Sequence, residues 1–142
     1  MAQRVDDSSI SNDDLLWRRI VNNPIWWKRD EQGNPVRDIN GSPCLSSAAF
    51  LDGYTGEVSV HLARLTTQEK ALSARPDNGL VEISAAIPRS VNHIVTLDPT
   101  EEDESHSLIC PSEALSKSGR KMAARKMSEA ARWLLFPESL RI

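Results

Sequence analysis

Alternating apolar and polar residues mark the clearest strand in the chain. In the stretch 57–63, two valines and Leu62 fall on one face, while Ser59 and His61 fall on the other. A period of two predicts a half-buried β-strand. Short apolar runs bounded by turn residues predict three further strands over 80–87, 93–97 and 106–110. The last two are expected to pair as a hairpin.

A helical period dominates the C-terminal part. Over residues 120–135, apolar side chains recur within about 100° of the helix circumference, and charged ones occupy the opposite arc. The apolar positions are Ala123, Met127, Ala130, Ala131 and Leu134. Such a stripe needs a sheet or helix beneath it. We therefore expect this helix to cover one face of the sheet.

Capping and turn residues define the shorter elements. Thr67 can cap a brief helix over 68–74, and Asn40-Gly41 between short apolar positions predicts a hairpin that pairs 35–37 with 44–46. The segment 13–21 has Ser11 and Asp14 in capping-box spacing. It fits a short helix or an edge strand, and the capping residues favour the helix.

These elements predict a single α+β domain over residues 12–137. Its fold is a small, mainly antiparallel sheet of about four or five strands covered by a C-terminal amphipathic helix. Residues 1–11 lack apolar periodicity and are expected to form a disordered N-terminal tail, and 138–142 a C-terminal tail. A length of 142 residues suits one domain of common size, about 100–150 residues.

Composition narrows the class of protein. Apolar residues make up 39% and charged residues 26%, which is ordinary for globular proteins, and the net charge is −3. This charge provides no overall attraction to nucleic acid or anionic membranes. The first residues lack the apolar core of a signal peptide, and no run is long enough to span a membrane. We therefore expect a cytoplasmic protein with reduced thiols at Cys44 and Cys110.

Histidines are the first candidates for chemistry. His61, His93 and His106 lack the short spacing typical of a metal site, so we predict no metal, and no glycine-rich phosphate loop indicates a cofactor. His106 follows an acidic run at 98–104. Nearby carboxylates favour the imidazolium form, which makes His106 a candidate proton donor. The alternative is a solvated acidic loop beside a surface histidine.

Hydroxyl groups and arginines supply the other catalytic candidates. Ser46 and Ser47 are adjacent hydroxyls beside small residues, although no Gly-x-Ser-x-Gly turn surrounds them, and turn or cap roles are the alternative. Arg18 and Arg19 lie between tryptophans. Arginine stacks on indole and binds phosphate or carboxylate with two parallel hydrogen bonds.

The tryptophans themselves allow two interpretations. Trp26 and Trp27 could form an exposed binding surface for a partner or a phosphate group, with Arg18 or Arg19 stacked on them. The alternative is that Trp17 and Ile20 enter the core while an arginine covers their edge.

The C-terminal helix carries a local excess of positive charge. Its basic residues are Lys117, Arg120, Lys121, Arg125, Lys126 and Arg132, set against Glu113 and Glu129. A basic helix face can bind phosphate groups or an acidic partner. It can equally be a solvated face that offsets the acidic residues 101–104.

Several short sequence motifs follow one another along the chain. They are Leu15-x-x-Arg18-Arg19-Ile20, Ser46-Ser47-Ala48-Ala49-Phe50-x-Asp52, Ser59-Val60, Asp98-Pro99, His106 and the alanine-rich helix with Trp133. In this order they resemble a group of small uncharacterised bacterial proteins, over residues 13–136. That resemblance implies a bacterial origin and no particular activity. The chain departs from the group's pattern around 38–45, where turn residues precede the paired serines.

The order of charged and hydroxyl residues also resembles that of NAD-consuming folds, namely RES-domain toxins and ADP-ribosyl transferases. These are compact α+β proteins with an early arginine, a middle serine or tyrosine and a later acidic residue. The resemblance implies such roles for Arg18 or Arg19, Ser46 or Ser59, and Glu82 or Glu102.

Three functions remain open from the sequence. The first is a non-enzymatic binding or accessory module for another macromolecule, in a bacterial defence or toxin–antitoxin setting, with a protein partner encoded nearby. The second is a small enzyme that acts on a nucleotide, NAD-consuming or nuclease-like, through Arg18 or Arg19, a serine and His106. The third is nucleic-acid binding by the basic helix. The second requires these side chains to meet in one cleft.

Overall fold

A computed structural model describes residues 4–51 and 56–141. In these ranges, six strands form one antiparallel sheet. The strands are β1 (Leu15–Ile20), β2 (Val58–Leu62), β3 (Gly79–Ser84), β4 (His93–Leu97), β5 (His106–Pro111) and β6 (Arg132–Leu135). The α-helices are α1 (Gln68–Leu72), α2 (Ala86–Ser90) and α3 (Lys117–Ala130). Across the sheet the order is β4-β5-β2-β1-β3-β6.

One face of the sheet is buried beneath α3 and a short 3-10 turn, Ser47–Phe50. The core combines inward residues of the strands with small and flexible side chains of α3. Its fully buried members include Leu16, Ile20, Phe50, Val60, Leu62, Val81, Ile109, Ala124 and Met127. The α+β class, the antiparallel sheet and the covering helix are thus confirmed, although the sheet has six strands where four or five were expected.

Several local predictions are confirmed. The alternating stretch forms β2, and β4 pairs with β5 in the predicted hairpin. Thr67 caps α1, its hydroxyl accepting a hydrogen bond from the Lys70 backbone N–H. In the Asn-Gly hairpin, the Cys44 N–H donates to the Val36 carbonyl at 2.9 Å, and Gly41 turns the chain with φ of 82°.

The helix predicted over 13–21 is wrong, because this segment forms the central strand β1. Leu16 and Ile20 face the core, and Trp17 and Arg19 face the other way, which is the period of two. The segment has partners on both sides, β2 and β3. These long-range pairings decide the conformation of a stretch whose local signals are ambiguous.

The C-terminal helix is shorter than predicted. It ends at Ala130, Ala131 is already extended, and 132–135 becomes the edge strand β6 beside β3. The helix begins at Lys117, before the predicted start, because the Ser116 hydroxyl caps it by accepting the Gly119 N–H. The last apolar residues of the helical pattern, at 133–135, therefore belong to a strand that pairs with β3.

Residues 4–11 pack on the sheet, where a disordered tail was expected. Ile10 is only 1% exposed and belongs to the core. The Asp7 N–H donates to the Val95 carbonyl at the edge strand β4, and the Arg89 guanidinium donates to the carbonyls of Asp7 and Ile10. The bond from Asp7 satisfies a carbonyl that the edge strand β4 would otherwise leave unpaired, and the Arg89 bonds hold residues 7–10 in place.

The terminal residues 138–140 form a 3-10 turn whose Leu140 is buried. None of the helices in the described ranges is long and apolar enough to cross a membrane.

Candidate functional site

The face of the sheet opposite α3, which we call the open face, carries a row of polar residues. Backbone register aligns one residue from each of five neighbouring strands: His106, His61, Trp17, Glu82 and Arg132. Directly opposed residues in antiparallel strands have side chains in contact range. The sheet therefore brings together residues that are far apart in sequence.

At the histidine end of this row lies the polar groove, with a volume of about 670 Å³. Its lining includes Arg18, Arg19, Ser59, His61 and His106 of the sheet, Lys70 of α1 and the acidic loop 100–104. Ligand pockets commonly enclose about 300–1,000 Å³, so a molecule of nucleotide size fits this volume.

His106 connects a hydroxyl to a carboxylate. Its Nδ1 lies 2.8 Å from the Asp98 carbonyl oxygen and 3.3 Å from Asp98 Oδ2. A carbonyl oxygen only accepts hydrogen bonds, so Nδ1 carries a proton, and in the neutral ring Nε2 is free to accept one. The Ser59 Oγ lies 3.3 Å from this Nε2. Asp98 thus orients His106 so that its basic nitrogen faces the Ser59 hydroxyl.

His61 forms a second histidine–carboxylate pair beside the first. Its Nδ1 lies 2.9 Å from Asp103 Oδ2 and 3.2 Å from the Ser105 hydroxyl. Burial lowers the pKa of His61, and the opposing attraction of Asp103 is too weak to restore it. Burial acts to raise the pKa of Asp103, but hydrogen bonds from Ser105 outweigh it and lower that pKa. At neutral pH the pair is therefore a neutral imidazole donating to a carboxylate.

Two cations line the polar groove beside these histidines. Within the part of the chain that the structure describes, neither the Arg19 guanidinium nor the Lys70 ammonium forms a hydrogen bond or an ion pair. The positive charge of Arg19 also contributes to the low pKa of His61. Two cations without a hydrogen bond or ion pair to the described residues, in the same groove as a hydroxyl–histidine pair, can attract an anionic group.

Arg18 has a structural role, unlike its neighbour. Strand alternation places its side chain on the core face, where its guanidinium donates to the Ala49 carbonyl at 2.9 Å and the Ser59 carbonyl at 2.8 Å. It also lies 5.1 Å from the ring centre of Trp26, in cation–π geometry. Arg18 thereby ties the 47–50 turn to the backbone of Ser59. Trp27 is buried, and its partner Leu45 forms a β-bridge with it.

The paired serines lie away from the polar groove. The Ser46 hydroxyl donates to the Ile25 carbonyl at 2.6 Å, and Ser128 of α3 donates to the Ser46 carbonyl, on the core face of the sheet. Ser47 begins the 3-10 turn. The structure therefore does not bring Ser46 or Ser47 to His106. The serine it brings there is Ser59, which the sequence had already placed on the same strand face as His61.

The basic residues divide between two elements. Lys117, Lys121, Arg125 and Lys126 are exposed on α3, and Arg125 lies 3.8 Å from Glu129 one helical turn away. Arg120 is half-buried. Arg132 instead belongs to β6 and donates twice to the buried Glu82, at 2.9 and 2.7 Å. Among the described residues, no ion pair connects α3 to the acidic residues 101–104.

The buried histidines predict a pH-dependent stability. Burial lowers the pKa of both His61 and His93 from 6.5 in the folded chain. As pH falls below about 6.5, the unfolded chain takes up protons first, so stability is complete above that pH and declines below it. Each proton that the unfolded chain binds and the folded chain does not changes the free energy of unfolding by about 1.4 kcal/mol per pH unit. Urea unfolding at pH 7.5 and 5.5 should show this decline, and His93→Gln should reduce it. Identical midpoints at both pH values would refute the prediction.

The two thiols should differ in reactivity. Burial, reinforced by the charge of nearby Glu57, raises the pKa of the Cys110 thiol to about 12, whereas Cys44 is half-exposed. Alkylation requires the thiolate and access to it. Iodoacetamide at pH 8 should therefore modify Cys44 in the native chain and leave Cys110 unmodified until denaturant is added, as peptide mapping would show. Equal native rates at both would contradict this.

Comparison with other proteins does not assign this chain to a family or a function. No protein-family model, curated protein or solved structure matches this chain. Within residues 4–51 and 56–141, no cluster of three or more histidine, cysteine or acidic residues could hold a metal ion. The chemistry of the polar groove therefore has to be inferred from its geometry.

Proposed function

We propose that this chain is a hydrolase of phosphate esters of about nucleotide size, in which Ser59 and His106 are the reacting groups. The observation that carries the proposal is the chain of contacts from the Ser59 hydroxyl to His106 Nε2 at 3.3 Å and from His106 Nδ1 to Asp98. A nucleophile, a base and a group that orients the base are thus connected by successive contacts in space. The Ser59–His106 distance is slightly longer than that of an active pair, as is common before substrate binds.

The surroundings of Ser59 favour phosphoryl over acyl transfer. Acyl transfer usually relies on convergent backbone N–H groups that stabilise an oxyanion. Ser59 lies inside the strand β2, in register with Leu108 of β5, and its carbonyl accepts the Arg18 guanidinium. It is therefore not at a helix N-terminus, where several backbone N–H groups converge. Arg19 and Lys70, both lining the polar groove, offer positive charge. Cationic side chains are the groups that stabilise a transferring phosphoryl group.

The reaction proceeds in two steps. First, Ser59 Oγ attacks phosphorus while its proton passes to His106 Nε2, and the bond to the leaving oxygen breaks on the opposite side of phosphorus, where solvent protonates that oxygen if it needs a proton. Second, water attacks the phosphoserine in line and loses a proton to solvent, the bond from phosphorus to Ser59 Oγ breaks as the His106 imidazolium returns its proton to that oxygen, and phosphate is released. Asp98 keeps the His106 ring in one tautomer throughout, and Arg19 stabilises the phosphoryl oxygens.

Chromogenic esters test this proposal. We expect the wild-type chain to release nitrophenolate from p-nitrophenyl phosphate or bis-p-nitrophenyl phosphate, and Ser59→Ala to lower that rate by about a hundred- to ten-thousand-fold. Ser46→Ala is the matched control and should retain wild-type activity, because its hydroxyl bonds Ile25 outside the polar groove. No phosphate turnover would overturn the proposal, and turnover of p-nitrophenyl acetate alone would replace it with acyl transfer.

The exposed face of α3 supports a second candidate function, the non-enzymatic binding module. Met122 is 54% exposed among the basic residues Lys121, Arg125 and Lys126. A mixed apolar and basic surface suits an acidic protein partner better than nucleic acid, which would be bound by charge and stacking. This candidate predicts that a protein encoded by a flanking gene, in a defence or toxin–antitoxin locus, binds the chain at low salt. Binding that survives a Lys121→Gln/Arg125→Gln/Lys126→Gln variant unchanged would overturn it.

A further inference from the structure

The polar groove has charges of opposite sign in its lining. Arg19 and Lys70 carry the positive charge, and Glu101, Glu102 and Glu104 carry the negative charge. In the described part of the chain, none of these five side chains forms a hydrogen bond or an ion pair. Their charges are therefore not neutralised by neighbours and act on whatever enters the groove.

The acidic loop is held in place by both histidine pairs. It begins after Asp98, which bonds His106, and Asp103 near its end bonds His61. The Asp103 N–H in turn donates to the Thr100 hydroxyl at 3.0 Å. The three remaining carboxylates are thus carried by a segment that is anchored to His106 and His61.

This inference rests on the proposed function and adds the substrate class: we infer that the substrate is a phosphate ester that carries a cationic group, such as a quaternary ammonium or a protonated amine. The phosphoryl group lies at Ser59 with Arg19 and Lys70, and the cation lies against the acidic loop. Each charge of the ligand then meets an opposite charge of the groove.

The same charges disfavour a polyanion. A nucleic acid strand or a nucleoside triphosphate would bring several negative charges into a groove with three unpaired carboxylates. Like charges at a few ångströms repel one another even in water. A net charge of −3 on the chain adds no compensating attraction. A compact zwitterionic ester avoids this repulsion.

A pair of substrates with the same shape tests the inference. p-Nitrophenyl phosphorylcholine carries a quaternary ammonium, and p-nitrophenyl 3,3-dimethylbutyl phosphate replaces its nitrogen with carbon. We expect kcat/KM to favour the choline ester roughly tenfold at low salt, because about three weak carboxylate–cation attractions are gained. The variant Glu101→Gln/Glu102→Gln/Glu104→Gln should bring the ratio close to one.

A charge-matched control separates the local effect from net charge. Glu31→Gln/Glu113→Gln/Glu138→Gln removes three exposed carboxylates outside the polar groove and should keep the tenfold preference. Equal turnover of the two esters, or a preference that survives loss of the loop carboxylates, would overturn the inference while leaving the hydrolase standing. Turnover of p-nitrophenyl phosphate with neither diester cleaved would also overturn it. Absence of turnover with every phosphate ester would instead overturn the proposed function.

Discussion

His106→Gln is expected to lower kcat/KM for a phosphate ester by about a hundred- to ten-thousand-fold, the usual contribution of a positioned general base. Glutamine keeps much of the size of histidine but cannot take up the Ser59 proton. His106 is a half-buried member of the sheet face, so the substitution leaves the core untouched. Circular dichroism should therefore match that of the wild-type chain. Loss of the bond from His106 to Asp98 should lower the free energy of unfolding by only about 1 kcal/mol, so the main loss should fall on turnover.

His93→Gln is the matched control for this prediction. His93 is buried on the other face of the sheet, where its Nδ1 donates to the Val91 carbonyl at 2.8 Å. Its replacement should reduce stability and leave kcat/KM of the folded chain within about twofold of wild type. Residues that are far apart and share no partners have little effect on one another. Equal losses of activity in both variants would show that His106 acts through the fold and not through chemistry.

Arg18→Met should lower the free energy of unfolding by about 3 kcal/mol, because hydrogen bonds that involve a charged group contribute about 1.5–3 kcal/mol each and the bond to Ser59 is solvent-exposed. The substitution removes the bonds to the carbonyls of Ala49 and Ser59 and the cation–π contact with Trp26. Urea unfolding monitored by tryptophan fluorescence measures the loss directly.

Arg19→Met provides the comparison at the neighbouring position. Arg19 has no hydrogen bond or ion pair within the described ranges and lines the polar groove. Its replacement should change stability by less than about 0.5 kcal/mol, as is usual for exposed or half-exposed positions without specific contacts, while lowering phosphate turnover. If Arg19 proved to be the residue needed for stability and Arg18 the one needed for turnover, the assignment of the two faces of β1 would be wrong.

Elements with strong local signals could be predicted from the sequence. The alternation around Val60 defined β2, and Thr67 marked the start of α1. The segments that became β1 and β6 could not be assigned in this way. Both are short, and Leu16 or Leu134 fits an apolar position of either a helix or a strand. Their conformation depends on pairing with β3, which is a long-range interaction.

The candidate site was predicted only in part for the same reason. The acidic run drew attention to His106, and strand alternation put Ser59 and His61 on one face. Their meeting depends on the pairing of β2 with β5, which joins residues 47 positions apart. No local pattern encodes that register. Adjacent hydroxyls at Ser46 and Ser47 stood out more in the sequence, yet they serve the turn beneath α3.

Covalent labelling tests the central claim, the Ser59–His106 pair, most directly. Diisopropyl fluorophosphate forms a stable phosphoserine ester only where a base activates the hydroxyl. Peptide mapping by mass spectrometry should show a single adduct at Ser59 in the wild-type chain, no adduct at Ser46 or Ser47, and loss of labelling in His106→Gln. An unlabelled Ser59, or labelling that proceeds at the wild-type rate without His106, would contradict the account.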